Sequence, residues 1–314
     1  LSTIRRPEIT EDSFRKLRVL FLRGKNEELV GVVRASNMLG DDKSVITDEI
    51  FKQHRAEQIL VEECRLFHPD LIIFIPPNGL TPPSDILART RHNIPVLMVV
   101  TNLSLFMGAD YATYCGITDL TAYRSSRDIA NVLLTYNAVD PSTYYDRSIE
   151  RDFDVTFIGE DQSLWKEYIR FLADSGINVH IPGQLEPWRM NDVLNRSKIS
   201  LNFNGRHLFE ITSCGAMMMD IQETEAREFF EPEKEMVVFS GKQDLLNKVR
   251  YYLKHQGERY KIAAAGLKKA TEIWSAWNCW GLTFERMGFY LPAWLARDPN
   301  YRKHRDIMEE VRMR

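Results

Sequence analysis

The feature that most constrains this chain is a series of short, nearly unbroken apolar runs set between helical stretches. Leu17-Arg-Val-Leu-Phe-Leu22, Asp70-Leu-Ile-Ile-Phe-Ile75 and Ile94-Pro-Val-Leu-Met-Val-Val100 are each about a strand long and lack polar alternation. A strand with one face in water alternates; a strand buried on both faces of a parallel sheet does not. Between the first two runs, Asp48 to Phe67 reads as a helix with Thr47 as its N-cap. Pro76-Pro77 stops the second run, and Asp119-Leu-Thr-Ala-Tyr123 reads as a weaker strand. Strand and helix in alternation predict a doubly wound α/β domain.

The polar segment from Tyr136-Asn-Ala-Val-Asp-Pro141 to Arg151 breaks that pattern, and a second series starts at once. Strands are expected at Asp154–Gly159, Asn178–Ile181, Ile199–Phe203, Ala216–Asp220 and Met236–Phe239. Helices are expected at Leu164–Ala173, Trp188–Asn195, His207–Ser213, Thr224–Phe230, Lys242–His255 and Glu258–Ile273. The 314 residues thus predict two α/β domains, 1–145 and 146–285, followed by a helical tail, 286–314. Two such lobes enclose a cleft, and ligands of open α/β sheets sit beyond the carboxyl ends of the strands. Only Gly24 follows the opening strand, with no GxGxxG, so the first lobe offers no dinucleotide fingerprint.

Several function classes drop out on composition. A net charge of -3 argues against a general electrostatic grip on nucleic acid. No run of about 18 apolar residues occurs, so no membrane span is expected. The opening LSTIRRPEITED has no apolar core like that of a signal peptide. Cys64, Cys115, Cys214 and Cys279 are scattered, with no CxxC pair or zinc spacing. Reduced, buried thiols and a cytoplasmic location are the expectation.

Chemistry concentrates in Asn202-Phe-Asn-Gly-Arg-His-Leu-Phe-Glu-Ile-Thr-Ser-Cys-Gly-Ala-Met-Met-Met-Asp220. A buried strand ends at Phe203, a loop with Asn204 and Gly205 follows, and a short helix begins near Arg206 and closes at Gly215. Helix N-termini carry unpaired N–H groups and a positive end, so amides around His207 and Leu208 suit phosphate. Arg206 beside them adds a bidentate donor for a diphosphate. Glu210, one turn later, is a carboxylate able to accept from two neighbouring ribose hydroxyls. Gly215 permits the sharp exit into the next strand. An Arg–Glu pair at this spacing is equally what a surface ion pair looks like, so the segment alone leaves function open.

The second half resembles the glycosyltransferase group 1 family, in particular its branch of spore-maturation (CgeB-like) proteins. The resemblance rests on Asp154-Val-Thr-Phe-Ile-Gly159, Ser197-Lys-Ile-Ser-Leu-Asn202, Arg206-His-Leu-Phe-Glu210, Ser213-Cys-Gly-Ala216 and Glu235-Met-Val-Val-Phe239, in that order. Leu245, Tyr252-Leu253, Glu258-Arg259 and Ile262-Ala-Ala-Ala-Gly266 extend it, and it covers about residues 136 to 275. It implies an α/β fold of the GT-B kind, with two Rossmann-like doubly wound domains facing each other across a cleft. The donor, a UDP-sugar, would be held by the second lobe. Glu210 would bind the ribose, and Arg206 with the amides at Asn204, His207 and Leu208 the diphosphate. Gly159 would let the first loop approach the phosphates, Lys166 would supply a second cation, and Gly215 would end the donor helix. Many group 1 enzymes carry two glutamates eight positions apart; here the earlier position is Asn202, which leaves the stereochemistry less determined.

Fixed positive charge at the diphosphate stabilises the leaving group without a metal or other cofactor. No DxD follows an apolar strand, and Asp41-Asp42 reads as a turn in a polar loop, so no metal site is expected. Analogy with the family implies retention of configuration, the departing phosphate helping to remove the acceptor's proton. An inverting enzyme would need a protein base, for which Asp110 and Asp119 are candidates, though each equally suits a loop cap. Trp274, Trp277, Trp280, Phe284, Phe289, Tyr290 and Trp294 are dense for a terminus and predict that the tail packs back onto the first lobe. The charged stretch from Tyr301 onwards is expected to be a solvated helix. The acceptor, whether glycan, lipid or protein, is not legible. Two other readings stay open: a GT-B relative that binds without transferring sugar, and an epimerase acting on a nucleotide sugar.

Overall fold

The structure, a computed structural model, describes residues 17–23, 40–46, 55–76, 94–100, 112, 114–118, 120–126, 129, 131–135, 138–139, 141–159, 163–183, 185–203, 207–222 and 224–313. These fall into two compact units. One takes its elements from the chain up to Ala138 and from Ala276 onwards; the other is Val139–Ser275.

The first unit is built on a parallel sheet of β1 (Leu17–Arg23), β2 (Gly40–Ile46), β3 (Leu71–Ile75), β4 (Val96–Val100), β5 (Tyr114–Ile117) and β6 (Val132–Leu134), in the order β2-β1-β3-β4-β5-β6. The central strands β3 and β4 are buried at every position, as their unbroken apolar sequences require. Helix α1 (Ala56–Phe67) buries Ala56, Leu60 and Cys64, spaced four apart on one face. The expected start of this helix, Thr47 to about residue 54, lies outside the described residues.

Two expectations are corrected here. The strand expected over Asp119–Tyr123 is, from Leu120, a helix, α2 (Leu120–Ser126), with Leu120, Tyr123 and Ser126 buried at intervals of three. The strand lies earlier, at β5, where the short Tyr-Cys-Gly-Ile run was passed over. Asp41-Asp42 belongs to β2 and not to a loop. Among the described residues β2 is at the end of the sheet and pairs with β1 alone, and an edge tolerates polar residues that a central strand would not.

The second unit has its own parallel sheet of β7 (Phe153–Phe157), β8 (Val179–His180), β9 (Ser197–Asn202), β10 (Met217–Ile221) and β11 (Val237–Phe239), in the order β11-β10-β9-β7-β8. Helices α3 (Ser163–Asp174), α4 (Pro187–Asn195), α5 (Leu208–Ser213), α6 (Ala226–Phe229), α7 (Lys242–Lys254) and α8 (Gln256–Glu272) connect and cover it. Leu172, Ile199, Leu201, Met217, Met219, Val237, Phe239 and Leu245 form the centre of its core. Each such side chain contributes roughly 1.5–3 kcal/mol on burial.

Helices α9 (Ala276–Arg286), α10 (Ala293–Ala296) and α11 (Pro299–Met313) group with the first unit. The Tyr114 hydroxyl on β5 donates to the Met287 carbonyl just after α9. Helix α11 is not solvated all round: Tyr301, His304, Met308 and Val311 recur at three and four residues and are buried, while its other faces carry the charge. Among the described residues no helix is long and apolar enough to cross a membrane.

Candidate functional site

The strand order of the second unit contains one reversal. From β7 the chain moves out to β8, then returns past β7 to lay down β9, β10 and β11 on the other side. The direction of winding therefore reverses between β7 and β9, and in open α/β sheets ligands bind beyond the carboxyl ends of the strands at such a reversal. The loop after β7 contains Gly159, and the loop after β9 leads through Phe203 to His207 and α5. Phe157 and Leu201 are register partners at the ends of those strands.

An aromatic cage fixes the root of both loops. Phe203 is buried and its ring stacks on Trp165 of α3 at 4.6 Å between centroids. Phe157, Tyr168 and Phe239 surround it at 5.4–5.7 Å. Such contacts hold the first turn of α3 against the end of β9, and each pair adds about 0.5–1.5 kcal/mol beyond area burial.

Glu210 lies in the first turn of α5, its side chain 16% exposed and 3.9 Å from His207 Nδ1. A carboxylate at that point is favoured by the helix dipole. Leu208 is buried, so only its backbone faces the edge; Gly159 and His207 are half-buried there. Lys166 is exposed on α3, next to the caged Trp165. Asn204, Arg206 and Asp110, expected at the site, lie outside the described residues, as does Asp119.

Gly215 is at the opposite edge of the sheet. Helix α5 runs from the carboxyl end of β9 back to the amino end of β10, and Gly215 sits in the left-handed turn there at φ 70°. Its neighbours are Arg151 and Asp146, and it forms the exit turn from α5 into β10. Cys214 beside it is buried, with Sγ 3.3 Å from Asn191 Oδ1, and burial pushes its thiol far up. It is a packing thiol.

One group at the carboxyl edge went unread in the sequence. Asp220 is fully buried at the end of β10, in register with Asn202 at the end of β9. Its carboxylate accepts from Asn202 Nδ2 (3.3 Å), the Thr224 hydroxyl and the Ile221 backbone N–H (2.8 Å). Burial pushes this carboxyl up to about 7, with those hydrogen bonds and the Arg227 charge pulling the other way. The available signal was an acid closing the apolar run Met217-Met-Met219, where a doubly buried strand should carry none.

Against this geometry, one family comparison bears directly on the edge. Residues 145–278 match the family model described as glycosyl transferase-like. That stretch spans the second unit almost end to end. No curated protein sequence matches the chain. Among solved structures, the chain is similar to the Anabaena protein Alr3699/HepE in complex with UDP-glucose, with a TM-score of 0.59, 12% identity, and 87% of this chain and 99% of that one covered. It is also similar to a glycosyltransferase from Rickettsia africae, with a TM-score of 0.61, 10% identity and coverage of 95% and 99%. A putative UDP-N-acetylglucosamine 2-epimerase from Listeria monocytogenes gives 0.54, 14%, and coverage of 87% and 98%. At such identities the likeness concerns the fold, and that fold is the α/β GT-B type.

Proposed function

We propose that this chain is a glycosyltransferase that takes its sugar from a nucleoside-diphosphate sugar, UDP-linked, at the carboxyl edge of the second sheet. One observation carries the reading: the switch point between β7 and β9 falls inside the glycosyl transferase-like segment, with the Glu210 carboxylate one turn into the helix that starts there. The complex of HepE with UDP-glucose supports a UDP-sugar as donor.

The chemistry follows from the groups at hand. Glu210 accepts hydrogen bonds from the two ribose hydroxyls, charge-assisted and therefore strong. Arg206 and the first amides of α5 receive the diphosphate, whose negative charge grows as the glycosidic bond breaks. Lys166 adds a second cation, and Gly159 keeps the β7 loop clear of the phosphates. Fixed positive charge does what a metal would otherwise do, and the departing phosphate takes the acceptor's proton as the new bond forms with retention. The ordered segments from Asp154 to Gly266 support a CgeB-like reading within that family. Four buried thiols without disulfides suit a reducing cytoplasm.

Incubation with UDP-, GDP- and dTDP-sugars and a mixed acceptor pool tests the proposal. Nucleotide release coupled to a glycosylated product is expected with a UDP-sugar. Tight binding without turnover would make the chain a binding protein, and an isomerised donor would make it an epimerase.

A further inference from the structure

We propose that Asp220 is a positioning residue of the donor site: it ties Asn202 at the end of β9 to the turn after β10, and so fixes the end of β9 from which the chain leads on to α5. This deepens the reading of the carboxyl edge as a donor site and rests on it.

The geometry is that of a tie between two loops. Asn202 and Asp220 are register partners on adjacent parallel strands, 2% and 0% exposed. Asp220 Oδ2 receives both Asn202 Nδ2 and the Thr224 hydroxyl, while Oδ1 receives the Ile221 N–H. The Thr224 oxygen in turn accepts from the Ala226 N–H, which opens α6. One carboxyl thus joins the root of the β9 loop to the whole β10–α6 turn.

Chemistry explains why a carboxylate stands there. An ionised carboxyl is acceptor-only, so it can receive the Asn202 amide, the Ile221 N–H and the Thr224 hydroxyl at once. Burying that charge is unfavourable, and a neutral side chain would make a simpler strand end. Groups held against such a cost concentrate at functional sites. The residue after Asn202 is the caged Phe203, so the loop toward His207 leaves from a root fixed on both sides. The charged group facing Asp220 is Arg227, whose attraction is the weakest of the influences upon it. Protonation of Asp220 removes an acceptor and slackens the tie.

The experiment uses the full chain, UDP as probe, and the variant Asp220→Asn. The amide keeps the shape and can still accept from Ile221, but it turns an N–H2 toward the amide of Asn202. We expect hydrogen exchange to accelerate across residues 202–211 as well as 221–226, with the rest of the second unit unchanged. UDP should bind about tenfold more weakly at pH 8, the size of one lost hydrogen bond. The wild-type protein should also lose UDP affinity more steeply than the variant as pH falls through neutrality, protonation of the terminal phosphate being common to both. Acceleration confined to 221–226 with unchanged UDP affinity would overturn the proposal, leaving Asp220 a cap of its own turn. If the wild-type chain does not bind UDP, the donor reading falls, and the exchange pattern of residues 202–211 still decides whether Asp220 governs that loop. Should Asp220→Asn fail to fold, Asn202→Ala removes the same tie from the β9 side and is read the same way.

Discussion

Arg151 and Gly215 pack so closely that a Cβ on the glycine would stand 2.8 Å from Nη2 of the arginine. That guanidinium is nearly buried and donates to the carbonyls of Leu194, Asn195, Ser197 and Cys214, with Asp146 at 3.2 Å. Burial draws its pKa below the usual arginine value, and Asp146 pulls it back. The side chain gathers the carbonyl ends of α4 and α5, which have no partners within their own helices. Gly215→Ala meets both a left-handed backbone and this guanidinium. Denaturant unfolding should show a loss of about 2–3 kcal/mol. Because the turn is at the amino edge, the UDP affinity of the folded variant should stay at the wild-type value. A matching drop in affinity would bring Gly215 back into the site.

Glu210 makes the opposite prediction. Its carboxylate stands in the first turn of α5, 3.9 Å from His207 Nδ1, and Glu210→Ala should change the melting temperature little. Loss of two charge-assisted bonds to ribose should weaken UDP binding by about 1–3 kcal/mol in calorimetry. Arg206→Ala should depress turnover while the protein still folds. Wild-type affinity in the first variant or wild-type rate in the second removes that residue from the donor site.

How much of this was legible in the sequence depends on what each residue answers to. The strands β3, β4 and β10 are buried on both faces, so their apolar runs announce them directly, while β9 shows through the alternation of Ile199, Leu201 and Phe203. Helix α5 was legible because a loop of small polar residues separates it from β9. Strands β2, β5 and β6 were missed: the first is polar, the second a four-residue run with a glycine and the third only three residues long. The true place of Gly215 was hidden because a six-residue helix has two ends close in sequence, and only topology separates them across the sheet. Asp220 was missed for a related reason. Its partner Asn202 is 18 positions away, and adjacency came only with the register of β9 and β10.

Asp220 also predicts a pH dependence of stability. Its folded-state value, about 7, lies above the ordinary 3.8, so the folded protein holds this proton more tightly than the unfolded chain. The resulting stability is fully present below the unfolded value, declines as pH rises, and is gone once pH passes about 7. Its size is on the order of a few kcal/mol. Unfolding of wild type and Asp220→Asn should be compared between pH 5 and 8. The wild type should lose stability relative to the variant toward neutrality, then hold constant. A difference that grows in the opposite direction would mean that the carboxyl is ionised in the fold at lower pH. The charged form is thus the less stable one and the one that ties the loops, a trade expected at a functional site.

The thiols give a last test, which also reports on α5. Burial raises Cys64 to about 11 and Cys115 to about 12, and pushes Cys214 and Cys279 further still. Since the thiolate is the reactive form, all four should resist a disulfide reagent at neutral pH and react together in denaturant. What labelling does occur in the native protein must pass through local opening. Cys214 caps α5 at its far end, so its labelling rate reads how often that helix opens. A ligand bound at the other end of α5 favours the closed state and should slow Cys214 more than Cys64 or Cys115. Slowing by UDP of Cys214 alone would tie the nucleotide to this helix. Equal slowing at all four would mean that UDP acts on global stability, and no slowing at all would place it elsewhere.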